Sequence, residues 1–441
     1  MRAVTRHLRL ADLRVAGALL TVSVLARLIW ALSQKHGLDV VDLRVYVYGA
    51  AHLGSGHLYD FVFADMTPNF PLPFTYPPFA ALVFYPMHLI PFPLLLVLWF
   101  GAMGAVLLMS VRMAMIMLLG AQTAVQPRWR ASAMLWTGLG VWLEPTRMTL
   151  DYGQVNIFLV GAGVAAAYYT RWWWSGLLVG AAAGVKLTPA VTGLYFVARR
   201  RWASAVFAAI VFAATIAIPY AISPAETRTY FGPLLGDASR IGPVGSVVNQ
   251  SMRGALTRIL GHDAGAPTTI AGHHIPFGPW WLAGVVVTAV LAWFAWRAVR
   301  SGDRLGVLLV VQLFGLMASP ISWSHHFVWL LPLMMWLRHG PLAKAAGARI
   351  VLGYWMIVTV VGVPWLLCFF QPTIWQVSRP AWLAWLGTVY SFGVLATYAW
   401  IIWTGARRRR VGAAVAATDA AADVPAEARG SSAPLVAGSG A

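Results

Sequence analysis

A single cysteine, Cys368, stands in a chain of 441 residues, and it lies inside an apolar run. One thiol excludes an intramolecular disulfide and a cysteine metal site, so loops outside a core must be held by packing and hydrogen bonds. Charge is scarce as well: Asp, Glu, Lys and Arg make up 10% of the residues, against about a quarter in a soluble domain. Carboxylates are outnumbered by Lys and Arg, 14 to 32. No Walker loop and no dinucleotide fingerprint is present, and no hydrophilic stretch is long enough to form a nucleotide-binding domain.

What is abundant is apolar surface, 59% of the chain. The runs 203–222 and 350–370 carry no charge, and 92–120 carries only Arg112. Each is long enough to cross a hydrocarbon core of about 30 Å as a helix. The formal charge of +18 does not indicate nucleic acid. The basic residues fall in short clusters between apolar segments, such as Arg128 and Arg130, Arg199 to Arg201, and Arg407 to Arg410, which is the pattern of cytoplasmic loops.

With these clusters inside, the chain threads as an all-α polytopic membrane protein of about ten to twelve transmembrane helices within residues 1–410. Segment 15–31 has the flanks of a signal peptide without a convincing cleavage site and reads as an uncleaved first helix. Two larger external loops span about 33–78 and 223–279. The proline-bounded stretch 79–91 is re-entrant or interfacial. Several crossings fall short of about 20 residues and require tilting or shielding by neighbours. Residues 411–441, rich in Ala, Gly and Ser, form a disordered cytoplasmic tail. Both termini are cytoplasmic, and the protein is multi-pass in the plasma membrane.

This threading puts the distinctive polar residues on one face: Asp42, Glu144, Arg147, Asp151, Gln154, Asn156, Lys186, Asn249, Gln250, His325 and His326. Asp42 follows the first helix, where a carboxylate can act as general base on a hydroxyl or pair with Arg44. The run Leu72-Pro-Phe-Thr-Tyr-Pro-Pro-Phe79, with Tyr76 at its centre, favours a stiff, extended entry into the membrane that lines a groove or anchors at the interface. The turn from Glu144 to Asn156 is dense in carboxylate and amide groups, suited to a sugar or to a helix-capping network. Lys186 ends an apolar segment, where phosphate is a natural partner and snorkelling the alternative. His325 and His326 open a helix on the same side, an end that favours negative charge. Neighbouring histidines point apart, and no third ligand stands at metal spacing, so no metal site is expected.

Taken together, Asp42-Leu-Arg-Val-Tyr46, Leu72-Pro-Phe-Thr-Tyr-Pro-Pro78, Tyr152-Gly-Gln-Val-Asn156, Gly184-Val-Lys-Leu-Thr-Pro189, Asn249-Gln-Ser251 and Ser319-Pro-Ile-Ser-Trp-Ser-His-His326 resemble the family-87 glycosyltransferases of actinobacteria. The resemblance covers most of the chain up to about residue 335. It implies a GT-C fold and an inverting transfer of mannose from polyprenyl-phosphate-mannose to a glycolipid acceptor on the external face. The acceptor would be a phosphatidylinositol mannoside or a lipomannan-type glycan, and the new bond α-1,2. The family's loop aspartate maps onto Asp42 as base and its loop histidine onto His325 or His326. Lys186, Arg147 or a protonated histidine could stabilise the departing phosphate, and no cofactor or metal is required. Another GT-C lipid-linked-sugar transferase, arabinosyl- or protein mannosyl-, would share this topology. A glycolipid flippase would place its ionisable groups at mid-bilayer and show internal repeats, and neither is seen.

Overall fold

The computed structural model describes residues 2–34, 38–67, 71–299, 302–370 and 381–422. Among them the only strands are two short antiparallel hairpins, and the rest of the regular structure is helical. Prolines open many of the helices, at 78, 93, 127, 145, 224 and 279, where a missing N–H costs nothing.

Five helices are long and apolar enough to span a bilayer: Leu13–Ser33, Phe92–Leu119, Trp202–Ile222, Pro279–Ala298 and Val389–Val411. A sixth span is broken, Ala348–Val361 continuing as Val363–Phe370 after a 41° bend. The first, third and fourth of the long helices expose apolar side chains along much of their length, among them Ile29, Ile210 and Val290. The shorter apolar helices do the opposite. Asn156–Tyr168 buries ten of its 13 residues, Leu330–His339 eight of its 10, and Arg304–Ala318 eleven of its 15. A 13-residue helix is about 20 Å long, too short for lipid on every side. The short crossings are thus shielded by neighbouring helices, as their length required.

Close approach has a sequence cause. Gly176, Gly180 and Gly184 form a stripe on helix Trp172–Val185, and a Cβ at Gly180 would lie 2.6 Å from the carbonyl oxygen of Ala208 on Trp202–Ile222. Small residues four apart are what let membrane helices touch backbone to backbone. Stretch 79–91 forms helix Pro78–Phe84 and a 3₁₀ turn Tyr85–Leu89, too short to cross. The last helix runs on to Ala422, so the stretch expected to be disordered from residue 411 begins as helix; residues 423–441 lie outside those described.

The two long connecting segments meet at one end of the bundle. The buried Glu226 carboxylate accepts N–H bonds from Gly54 and Gly56, both at 3.1 Å, and from Leu58 at 3.4 Å. Arg240 donates to the Tyr59 carbonyl at 2.6 Å, and the rings of Tyr59 and Tyr230 stack. Segments 246–251 and 320–324 zip together through Gln250 N to Ser322 O, 2.8 Å, and Ser324 N to Val248 O, 2.7 Å.

Candidate active site

The site is organised by the short helix Glu144–Tyr152 and the turn that follows it. Gly153 ends the helix with φ 67°, and a Cβ there would lie 2.8 Å from the Cβ of Leu43. Only glycine satisfies both demands, which explains its place between Tyr152 and Gln154. Val40, three residues before Leu43, is held at φ 43°, a strained conformation for a β-branched residue. Its N–H bonds to the carbonyl of Asp151 at 3.1 Å. The strained turn starts helix Val41–Arg44 and delivers Asp42 to Gln154.

Gln154 Nε2 donates to Asp42 Oδ2 at 3.2 Å and to the Tyr76 hydroxyl at 2.9 Å. Its Oε1 accepts from the Tyr46 hydroxyl at 2.6 Å. Tyr76 lies just before Pro77 and Pro78, where helix Pro78–Phe84 begins. Arg44 does not pair with Asp42: its Nε donates to the Asp39 carbonyl at 3.3 Å and its guanidinium lies 4.4 Å from the centre of the Phe92 ring. Burial pushes the Asp42 carboxyl above the usual carboxylate range, and the ammonium of Lys186 pulls the other way.

Lys186 sits where helix 172–185 ends. Its Nζ donates to Asn156 Oδ1 at 3.2 Å and lies 3.1 Å from His326 Nε2. An ammonium only donates, so Nε2 is the acceptor and the imidazole proton is on Nδ1. Nζ also lies 5.5 Å from the centre of the Tyr76 ring. Lys186 is thus enclosed by polar partners rather than extended to an interface. Asn156 Nδ2 and Thr149 Oγ1 both donate to the carbonyl of His325, at 2.9 and 3.0 Å. The two histidine rings pack edge to face, 4.8 Å apart. Burial and the charge of Lys186 hold both imidazoles well below their usual pKa, so the cation here is the lysine and not a protonated histidine. Asp42, Lys186 and His326 keep partial exposure, while Gln154, Asn156 and His325 behind them are buried. Below His326 and Asn156 lies a cavity of about 40 Å³ that Thr188, Thr192 and Gln312 also line.

Seven of the residues singled out in the sequence therefore converge: Asp42, Tyr76, Gln154, Asn156, Lys186, His325 and His326. Three others form a separate group. Glu144, Arg147 and Asp151 recur at helical spacing on one face of helix 144–152, while Thr149 and Tyr152 on the other face meet the histidines. Asp151 pairs with Arg27 of the first helix. The Arg147 guanidinium lies 4.3 Å from the centre of the Trp365 ring. Glu144 is fully buried and accepts from the Tyr390 hydroxyl at 2.7 Å; burial pushes its carboxyl up to about 7.

Asn249 and Gln250 do not reach the cluster. Asn249 donates to the Val244 and Pro320 carbonyls and accepts from Ser251 N and Ser322 N. Gln250 donates to the carbonyls of Val247 and Gly387 and accepts from Tyr390 N. Both are completely buried and brace the segment that carries the histidines. Tyr46 and Glu226 were missed as polar contributors. Tyr46 stands four residues after Asp42, a spacing that places two helical residues on one face; Glu226 gives no such local signal. Among the described residues no three His, Cys, Asp or Glu side chains converge where they could hold a metal ion.

Fold and site together define a multi-pass helical membrane protein with an enclosed acid–base cluster at one end of the bundle. The model of glycosyltransferase family 87 matches residues 74–320, and the chain belongs to that family. It is a membrane glycosyltransferase of the GT-C type. It is 56% identical over 390 residues to the polyprenol-phosphate-mannose-dependent α-(1-2)-phosphatidylinositol pentamannoside mannosyltransferase of Mycolicibacterium smegmatis, covering 88% of this chain and 91% of that one. The enzyme of the same description from Mycobacterium tuberculosis is 53% identical over 88% of this chain and 87% of its own. A Mycobacterium tuberculosis α-(1-2)-phosphatidylinositol mannoside mannosyltransferase, also polyprenol-phosphate-mannose-dependent, is 31% identical over 71% of this chain and 75% of its own. No solved structure matches the chain.

Proposed function

We propose that this enzyme transfers mannose from polyprenol-phosphate-mannose to a hydroxyl of a phosphatidylinositol mannoside, with inversion, forming an α-1,2 bond on the external face of the plasma membrane. The observation that carries the reading is that Asp42 and the Lys186 ammonium gather at one side chain, Tyr76: Gln154 links its hydroxyl to Asp42, and Nζ lies 5.5 Å from its ring centre. An inverting transfer needs these two functions side by side: a base for the acceptor hydroxyl and a cation for the departing phosphate. Asp42 takes the hydroxyl proton as that oxygen attacks the mannose anomeric carbon. The bond from carbon to the phosphate oxygen breaks, and the electron pair leaves on polyprenyl phosphate, facing Lys186.

His326 is neutral and fixes Lys186 through Nε2, and Asn156 fixes it from the other side. The partly exposed Tyr152, whose ring meets His325 edge to face, extends the surface on which the sugar would lie. The acceptor favoured is a phosphatidylinositol pentamannoside, because identity to the enzymes described for it, 56% and 53%, far exceeds the 31% to the mannoside enzyme. The external face is supported by the basic clusters, which lie at the opposite ends of the helices from Asp42.

The test supplies membranes holding wild type or Asp42→Asn with radiolabelled polyprenol-phosphate-mannose, with GDP-mannose as a separate donor and synthesis of the polyprenol donor blocked. Label should enter glycolipid from the polyprenol donor alone, be released by an α-1,2-specific mannosidase, and vanish in Asp42→Asn. Transfer from GDP-mannose would overturn the donor, and full activity of Asp42→Asn would overturn the base.

A further inference from the structure

Behind Asp42, three buried side chains close a ring of hydrogen bonds. Gln154 Nε2 donates to the Tyr76 hydroxyl at 2.9 Å. The Tyr76 and Tyr46 hydroxyls are 3.0 Å apart, and Tyr46 donates to Gln154 Oε1 at 2.6 Å. Tyr46 gives its proton to the amide oxygen, and Tyr76, which accepts from the amide, gives its own to Tyr46 or to that same oxygen, 3.3 Å away. The N–H of Val155 also points at that oxygen, 2.9 Å away. If the amide flipped, its NH₂ would face the Val155 N–H, and its oxygen would face the Asp42 carboxylate. The ring therefore leaves one arrangement, in which the second amide N–H donates to Asp42 Oδ2. Tyr46 is completely buried, stacked on Phe84 with ring centres 4.6 Å apart, so it touches nothing that enters the site.

We infer that Tyr46 is a positioning residue: acting through Gln154, it orients the Asp42 carboxylate so that one oxygen is held by the amide and Oδ1 is left for the acceptor hydroxyl. The inference rests on Asp42 serving as the base. Hydrogen bonding to the charged form also keeps a carboxyl ionised, so the ring sets both where the base points and the pH at which it becomes available. The other groups that face Asp42 are the Lys186 ammonium, with His326 behind it, and the hydroxyls of Tyr76 and Tyr152. Only the lysine favours the carboxylate as Gln154 does.

The experiment measures kcat, KM for each substrate and the pH profile for Tyr46→Phe, Gln154→Glu and Asp42→Asn in detergent, on protein that elutes as wild type in size exclusion. Tyr46→Phe keeps the ring packing and loses one hydroxyl. Its kcat should fall about tenfold with KM nearly unchanged, and the acid limb of kcat should move to higher pH. Gln154→Glu turns the N–H facing Asp42 into a second carboxyl oxygen. It should lower kcat at pH 7 by about a hundredfold or more and move the same limb further. Wild-type kcat and limb in Tyr46→Phe, or a change in KM alone, overturns the positioning role. An active Asp42→Asn instead removes the base reading on which the role depends, and so separates the two failures.

Discussion

Replacing Lys186 with methionine keeps the length and bulk of the stem and deletes one charge. In the wild type that ammonium is gripped by Asn156 Oδ1 at 3.2 Å and His326 Nε2 at 3.1 Å, so it is already aimed before substrate arrives. A preorganised donor to a developing oxyanion in a half-dry site contributes about 2.7–4 kcal/mol, or 10²–10³ in kcat. A second effect acts on the base. Lys186 lowers the pKa of Asp42, so without it the carboxyl holds its proton to higher pH and less of the base form exists near neutrality. Lys186→Met should therefore lose at least a hundredfold in kcat at pH 7 and recover part of that loss as pH rises. Lys186→Arg should not restore activity, because a planar guanidinium does not fit between two acceptors set for a compact ammonium. The assay is label transfer at saturating donor from pH 5.5 to 9, with thermal unfolding in the same detergent. Asp42 loses its counter-charge, so some stability should be lost as well, and kcat is compared below the unfolding temperature of both proteins. A Lys186→Met enzyme with kcat within threefold of wild type and an unmoved acid limb would refute the reasoning.

Two further predictions concern the second charged group. Glu144 is buried and its carboxyl is raised from 4.5 to about 7, so between these values the folded state binds more protons than the unfolded one. The Glu144 contribution to stability is full below about pH 4.5 and is lost as pH rises through 7, about 3 kcal/mol in total; thermal melts of Glu144→Gln should show a fall smaller than wild type by that amount. Arg27 and Asp151 form a largely buried pair. Asp151→Leu alone should cost about 3 kcal/mol by stranding the guanidinium, while the Arg27→Met/Asp151→Leu double variant should regain most of it; melts of wild type and the two variants would show no recovery if the pair were only incidental.

The membrane character, the helical class and the gathering of polar groups at one end were legible in the chain because each depends on local composition. A run of 20 apolar residues must cross a bilayer as helix, whatever surrounds it, and basic clusters mark alternate ends. Asp42, Gln154, Asn156, Lys186 and the histidine pair were legible because polar groups that border apolar segments stand out in so apolar a chain.

Partner choice was decided only by the tertiary structure. An amide has the same donors and acceptor in any sequence, and Asn249 and Gln250 look as reactive as Gln154. In the fold their bonds go to backbone carbonyls and N–H groups of neighbouring loops, whereas Gln154 turns one N–H to Asp42. Within Glu144–Asn156, helical rotation sends Glu144, Arg147 and Asp151 away from the histidines, and a glycine at φ 67° swings Gln154 back toward Asp42. Composition and spacing could name these polar groups. Their roles depend on directions in space set by contacts more than 100 residues apart, and no local pattern encodes those.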